Sequence, residues 1–163
     1  MKTNKIALLG MGTALYVVLG FVAKIPLISH IQMDFGYVAF GYFLYVLGWP
    51  AYIVGVAGCM IESLIFSGWI PIGWMLGQLF IGVVCGIIYK KTNITFIHVY
   101  TTIFSVCIGI SIIKTVVECI LFNISFVVKF PKNFIAFVAD VIPMLLGYFI
   151  AKRVSIWQVE KNE

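Results

Sequence analysis

Five side chains stand where a hydrophobic sequence should not carry them: Glu62, Gln78, Lys114, Glu118 and Asp140 each lie inside an apolar stretch. A carboxylate accepts hydrogen bonds, holds a cation or exchanges a proton. A lysine holds an anion, and a glutamine both donates and accepts. Lys114 and Glu118 are spaced i, i+4, which puts them on one helix face, where they can bind a ligand or neutralise each other. Three carboxylates against one lysine leave an excess of negative charge. That excess points to a substrate with an amine or a protonated heterocycle, unless the carboxylates share protons.

The elements that must position these residues follow from composition. The 163 residues are 63% hydrophobic and 10% charged, with a mean hydropathy of +1.11, whereas soluble domains carry about 25% charged residues. An ordinary soluble enzyme or binding domain is excluded. Six membrane helices of about 20 residues would use roughly 120 positions and leave no room for a separate soluble domain. The net charge of +5 is spread in pairs at segment ends rather than gathered in a patch, so it reads as a topology signal and not as a nucleic-acid surface. Cys59, Cys85, Cys107 and Cys119 fall in apolar segments without CxxC spacing, which indicates packing residues. No P-loop, HExxH or GxSxG pattern is present, and the two histidines fall in separate connections, so no cofactor or metal is expected.

Prolines, glycines and the few charges divide the chain into an all-α, polytopic integral membrane protein forming a single domain, a six-helix transmembrane bundle over 5–25, 35–47, 49–67, 73–89, 99–122 and 134–151. The apolar stretch from Ile6 to Ala23 is long enough to span and lacks an obvious small-residue cleavage site, so it reads as the first helix rather than a signal peptide. Pro26 ends that helix, Gly48-Trp49-Pro50 turns into the third, and 123–133 with Pro131 forms the last connection. Pro143 should kink the sixth helix and free a carbonyl near Asp140. With both termini cytoplasmic, the inner segments carry Lys2, Lys5, Lys90, Lys91, Lys152, Arg153 and Lys161, and the outer ones Lys24, Lys129 and Lys132. This bias favours termini inside. A five-span alternative, with 35–47 not crossing, would place the C-terminal cluster outside.

Depth along these helices, at about 1.5 Å per residue, puts all five polar residues roughly 7–13 Å from the outer ends, in the outer half of a core about 30 Å thick. A charge at the bilayer centre costs at least about 2.5–3.5 kcal/mol, so such residues face a bundle interior or a water-filled cavity. The inner half has essentially none. The expected arrangement is a polar cup open to the outside and closed below by apolar packing. Asp34, Tyr37, Phe66, Trp69, Trp74 and Asn123 fall around its rim and join the candidate substrate-binding set, with His30 able to contribute from the first outer connection. Trp74 and Gln78 share a face. These aromatics either form an interfacial belt or stack on a planar ligand.

Gly10 and Ala14 make a small-xxx-small face on the first helix, with Ala7 and Gly12 nearby, suited to close packing in the bundle or to docking a partner subunit. Two rival classes are a small membrane enzyme using the intramembrane carboxylates as acid and base, and a self-contained channel or exporter subunit. The first lacks a cofactor or metal motif, and the second would need polar residues along the inner half.

The pattern resembles the substrate-binding S-components of energy-coupling factor (ECF) transporters, the vitamin-uptake systems of prokaryotes. The resemblance covers nearly the whole chain. It rests on six short helices, the face Gly10-Met-Gly-Thr-Ala14, the Gly48-Trp49-Pro50 turn followed by Gly55, Gly58 and Glu62, the Lys90-Lys91 helix end and the basic C-terminus. It implies a multi-pass protein of the prokaryotic plasma membrane that binds a vitamin or related small heterocycle in an outward-facing pocket. It further implies association with a membrane coupling protein and two ABC ATPases, and transport by toppling of the subunit in the lipid bilayer. The coupling contact corresponds to an AxxxA motif, matched here by Gly10 and Ala14 with glycine in the first place.

Overall fold

A computed structural model describes residues 3–26 and 32–160. His30, Lys2 and Lys161 lie outside the described residues. The first helix, α1 (Thr3–Val22), is followed by a short antiparallel ribbon of β1 (Lys24–Pro26) and β2 (Gln32–Asp34), in which Lys24 pairs with Asp34 and Pro26 with Gln32. Part of the expected polar connection is therefore ordered as strand. Then come α2 (Gly36–Leu47), a single 3-10 turn at Trp49–Ala51, α3 (Tyr52–Ser67), α4 (Ile72–Lys91), α5 (Thr95–Phe122) and α6 (Phe126–Glu160). Five of the helical spans are long and apolar enough to cross a membrane, and α2 is a shorter apolar helix. The protein is a multi-pass, all-α membrane protein.

Two boundaries differ from the sequence reading in a way that matters for the site. The fifth helix starts at Thr95, so His98 is helical rather than in a loop. The sixth starts at Phe126, which converts most of the expected 123–133 connection into helix. Pro131 does not prevent this. It lies in the second turn, where the carbonyl that loses its donor belongs to Val127, itself exposed. The structure keeps Pro143 within the same continuous helix.

The helices pack closely because glycines meet backbone. A Cβ on Gly41 would run into the backbone of Met144, and one on Gly147 into the backbone of Val38, so α2 and α6 are held at a distance that only hydrogen allows. Gly77 of α4 and Gly109 of α5 meet in the same manner, a Cβ on Gly77 falling 2.6 Å from the Gly109 carbonyl oxygen. Within α5 the segment Cys107–Lys114 is π-helical. Phe40, Leu44, Val54, Ile81, Val106, Ile110 and Met144 form the fully buried apolar centre. The outward faces are apolar too: Met11, Leu15, Val18 and Val22 line the exposed side of α1, as a lipid-facing stripe requires.

Candidate functional site

At the end of the bundle where α1, α3 and α5 finish, a two-lobed cleft opens. The smaller lobe, about 150 Å³, is lined by Tyr16, Gln32, Asp34, Tyr37, Cys59, Glu62, Ser63, Trp74 and Asp140. The ribbon places Asp34 here. Its carboxylate accepts from the Gly36 backbone N–H at 2.7 Å and from the Tyr16 hydroxyl at 3.4 Å, and its own N–H donates to Asp140 Oδ1 at 3.4 Å. Gln78 Nε2 donates to the Tyr16 hydroxyl at 3.4 Å, from a position fully buried behind the lobe. Glu62 fits because α1 presents Gly20 to it, where a Cβ would lie 2.8 Å from the carboxylate. The Tyr37 hydroxyl is buried without a hydrogen-bond partner.

The larger lobe, about 460 Å³, joins the first along Trp74 and Gln32, which line both. Its wall includes Trp69, Lys114, Glu118, Phe122, Lys129, Lys132 and Asn133. The Lys114 ammonium donates to Asn133 Oδ1 at 2.7 Å, lies 3.8 Å from Glu118 and rests 3.6 Å from the centre of the Trp74 ring. Lys129 approaches the same Glu118 at 3.4 Å. Asn133 Nδ2 donates to Thr115 Oγ1 at 2.9 Å and to Glu118 at 3.3 Å, so one amide ties the two charges together. The Trp69 ring meets Phe122 edge-on at 5.8 Å between centroids.

Most of the residues singled out by depth thus converge. Asp34, Tyr37, Glu62, Trp74 and Asp140 line the smaller lobe, Trp69, Trp74, Lys114 and Glu118 the larger, and Gln78 backs the first. Two expectations need correction. Phe66 is 59% exposed and packs its ring 6.0 Å from Phe21, lining neither lobe. Asn123 is exposed in a left-handed conformation (φ 51°) that stops α5, so it acts on the backbone rather than in the cleft. Gly12, near the Gly10–Ala14 face in sequence, turns inward: it is buried, and a Cβ there would meet the Phe43 ring at 2.9 Å. Gly10 and Ala14 are exposed, and a Cβ on Gly10 would meet nothing within 4 Å.

The charge count also changes. Lys129 and Lys132, assigned to a connection by sequence, enter the wall on the first turns of α6, so the carboxylate excess holds for the smaller lobe and not for the larger. Asn133, Tyr16, Gln32, Cys59 and Ser63 were also missed. The spacing Gly12, Tyr16, Gly20, all buried on α1, is the signal that marks Tyr16 as facing the interior.

The opposite end is not purely apolar, contrary to the expected cup closed by apolar packing alone. There His98 is buried: Nε2 donates to the Thr92 carbonyl at 2.8 Å, which leaves Nδ1 to accept from the Tyr148 hydroxyl at 3.0 Å. Tyr89 bonds Thr102, and Cys85 lies 2.8 Å from Ser105. A separate cavity of about 360 Å³ there, edged by Lys90 and Lys152, shares no lining residue with the two-lobed cleft. Among the described residues no three His, Cys, Asp or Glu side chains come together as a metal site.

Fold and cleft together define a multi-pass helical membrane protein with a polar cleft at one end of its bundle. That fold is the S-component fold. The chain is similar to the crystal structure of the S-component for biotin from an ECF-type ABC transporter, with a TM-score of 0.69 at 17% identity over 95% of this chain and 94% of that one. It is similar to FolT bound with folic acid at the same TM-score of 0.69, with 21% identity over 93% of this chain and 94% of that one. No protein-family model and no curated protein matches it by sequence.

Proposed function

We propose that this protein is the membrane-embedded binding subunit of a vitamin-uptake system in the prokaryotic plasma membrane, taking a vitamin or related small heterocycle from outside the cell. The observation that carries the reading is the two-lobed polar cleft at one end of an S-component fold. Its walls are aromatic and apolar with a few convergent polar groups, as small-molecule sites generally are. The ligand lies against Trp74, held by Asp34, Tyr37, Glu62 and Asp140 on one side and by Lys114 and Glu118 on the other. A buried apolar layer of Phe40, Ile81, Ile110 and Met144 supports a closed binding cup over a conduction path. The termini are cytoplasmic in this reading, supported by Lys90, Lys91, Lys152 and Arg153 at the end away from the cleft.

The subunit binds alone and transports only with a membrane coupling protein and two ABC ATPases, and the exposed Gly10–Ala14 face of α1 is the contact with the coupling protein. Two measurements test this. Native mass spectrometry of the purified protein should show a small molecule retained one to one, and vesicles containing the protein without the coupling module should bind but not accumulate it. Uptake at full rate without the module would refute the coupling half of the proposal. Gly10→Leu should leave the fold and binding unchanged, since no neighbour opposes the new side chain. It should also lower co-purification with the coupling protein at least about tenfold, as bulky residues do at small-xxx-small contacts. Unaltered co-purification would move the contact elsewhere on the surface.

A further inference from the structure

The two lobes differ in sign and in size, and that difference specifies a ligand with two unlike ends. We infer that the ligand carries a ring-sized head rich in N–H donors, seated in the smaller lobe, and an anionic tail, carboxylate or phosphate, seated among the lysines of the larger lobe. This rests on the binding-subunit reading and narrows its substrate class.

The smaller lobe is an acceptor surface. Asp34, Glu62 and Asp140 present carboxylate oxygens to it, each able to accept several hydrogen bonds, so partners already in place leave further lone pairs available. Tyr37 also lines this lobe, and its hydroxyl, buried without a hydrogen-bond partner, needs a group to bond. A cavity of about 150 Å³ holds a single six-membered ring. A head such as a cyclic amide, ureide or amino-heterocycle satisfies both the size and the donor requirement.

The larger lobe has the opposite balance. Lys114, Lys129 and Lys132 line it against Glu118 alone. Glu118 is shared between Lys114 and Lys129, and Lys132 has no acidic partner among the described residues. The net excess of two positive charges sits in a cavity about three times the volume of the other, enough for a chain several atoms long with its charged end at the lysines. Trp74 lies where the lobes meet and lines both, with the Lys114 ammonium over its ring. The amine-bearing substrate suggested by the sequence charge count is thus replaced by an acid, because the two lysines that reverse the count come from the early turns of α6.

The test uses the full chain in lipid nanodiscs, equilibrated with a mixture of acids and their neutral counterparts. The mixture contains biotin and biotinamide, nicotinate and nicotinamide, pantothenate and panthenol, riboflavin and its 5′-phosphate, folic acid, and thiamine as a cation. Retained compounds are read by mass spectrometry, and Kd is measured for whatever is retained. The expected result is retention of an anionic member over its neutral counterpart, with Lys129→Gln/Lys132→Gln weakening it at least about tenfold, as loss of hydrogen bonds to charged groups does. Lys91→Gln/Arg153→Gln, which removes the same charge at the far end, should leave Kd unchanged. The retained member distinguishes carboxylate from phosphate. Retention of a neutral or cationic compound, or a Kd insensitive to the two lysines, overturns the inference and leaves the binding-subunit reading standing. Retention of none of the compounds overturns both.

Discussion

Replacing Glu118 by leucine is expected to destabilise the protein by about 3–5 kcal/mol and to abolish ligand retention, whereas Lys114→Met/Glu118→Leu regains most of the stability and none of the binding. The reasoning is one of desolvation. Lys114 and Glu118 are both buried, and among the described residues Glu118 is the carboxylate that pairs with Lys114, at 3.8 Å. Without it the close contacts left to the ammonium among the described residues are the neutral Asn133 oxygen and the Trp74 face, and Lys129 loses its carboxylate as well. A buried cation stripped of its counter-charge is among the costliest single changes a protein can suffer. Removing the cation too replaces the pair with apolar volume, which is often neutral. Thermal unfolding of the four corners of this cycle in detergent, alongside ligand titration, checks both halves. A single variant within about 1 kcal/mol of wild type would show that water reaches the pair, and a double variant that still binds would make the pair purely structural.

The second large effect concerns packing. Gly147→Val should cost on the order of 3 kcal/mol or more, because the new atoms fall on the Val38 backbone, which cannot turn aside as a side chain can. The close α2–α6 contact is continuous through Gly41, so separating the helices at one point loosens the other. That contact also carries α6 to β2, where the Asp34 N–H reaches Asp140, so the damage should appear in the smaller lobe as well as in the melting temperature. Monodispersity in size-exclusion chromatography and the unfolding midpoint are the measurements. A Gly147→Val protein as stable as wild type would mean that the two helices have room to part.

What was legible in the sequence is instructive. The spans and the convergence of Glu62, Gln78, Lys114, Glu118 and Asp140 follow from hydropathy and rise per residue alone, because a charge in lipid is expensive enough to leave few alternatives. The larger lobe was not legible in the same way. Lys129, Lys132 and Asn133 flank Pro131, and a proline among polar residues reads as a connection. Only the exposed N-terminal turns of α6 make it compatible with helix. The network at the far end escaped for a different reason. Thr101, Thr102, Ser105 and Cys85 are small and uncharged, and they satisfy themselves within or between neighbouring helices, so they hardly disturb the hydropathy that defines the spans. Phe66 and Asn123 were assigned by proximity in sequence to the cleft, a criterion blind to which way a helix end turns.

The π-helical stretch Cys107–Lys114 in α5 has a consequence for how such a bundle can change over time. It stands between a lower part that packs into the core and an upper part that carries Glu118 into the cleft, with Thr115 buried behind it. Because a π turn takes in about one residue more than an α turn, a deletion of one residue here that restored ordinary winding would leave the upper part still facing the cleft and the lower part in register. A deletion in the ordinary α-helical winding below it, with no wider turn to absorb it, would instead swing the upper part by about 100° and carry Glu118 away from the cleft. Chain length is therefore buffered at this place: loss of a single codon there would be taken up in the winding, and the chemistry of the larger lobe would survive a change that elsewhere in the helix would dismantle it.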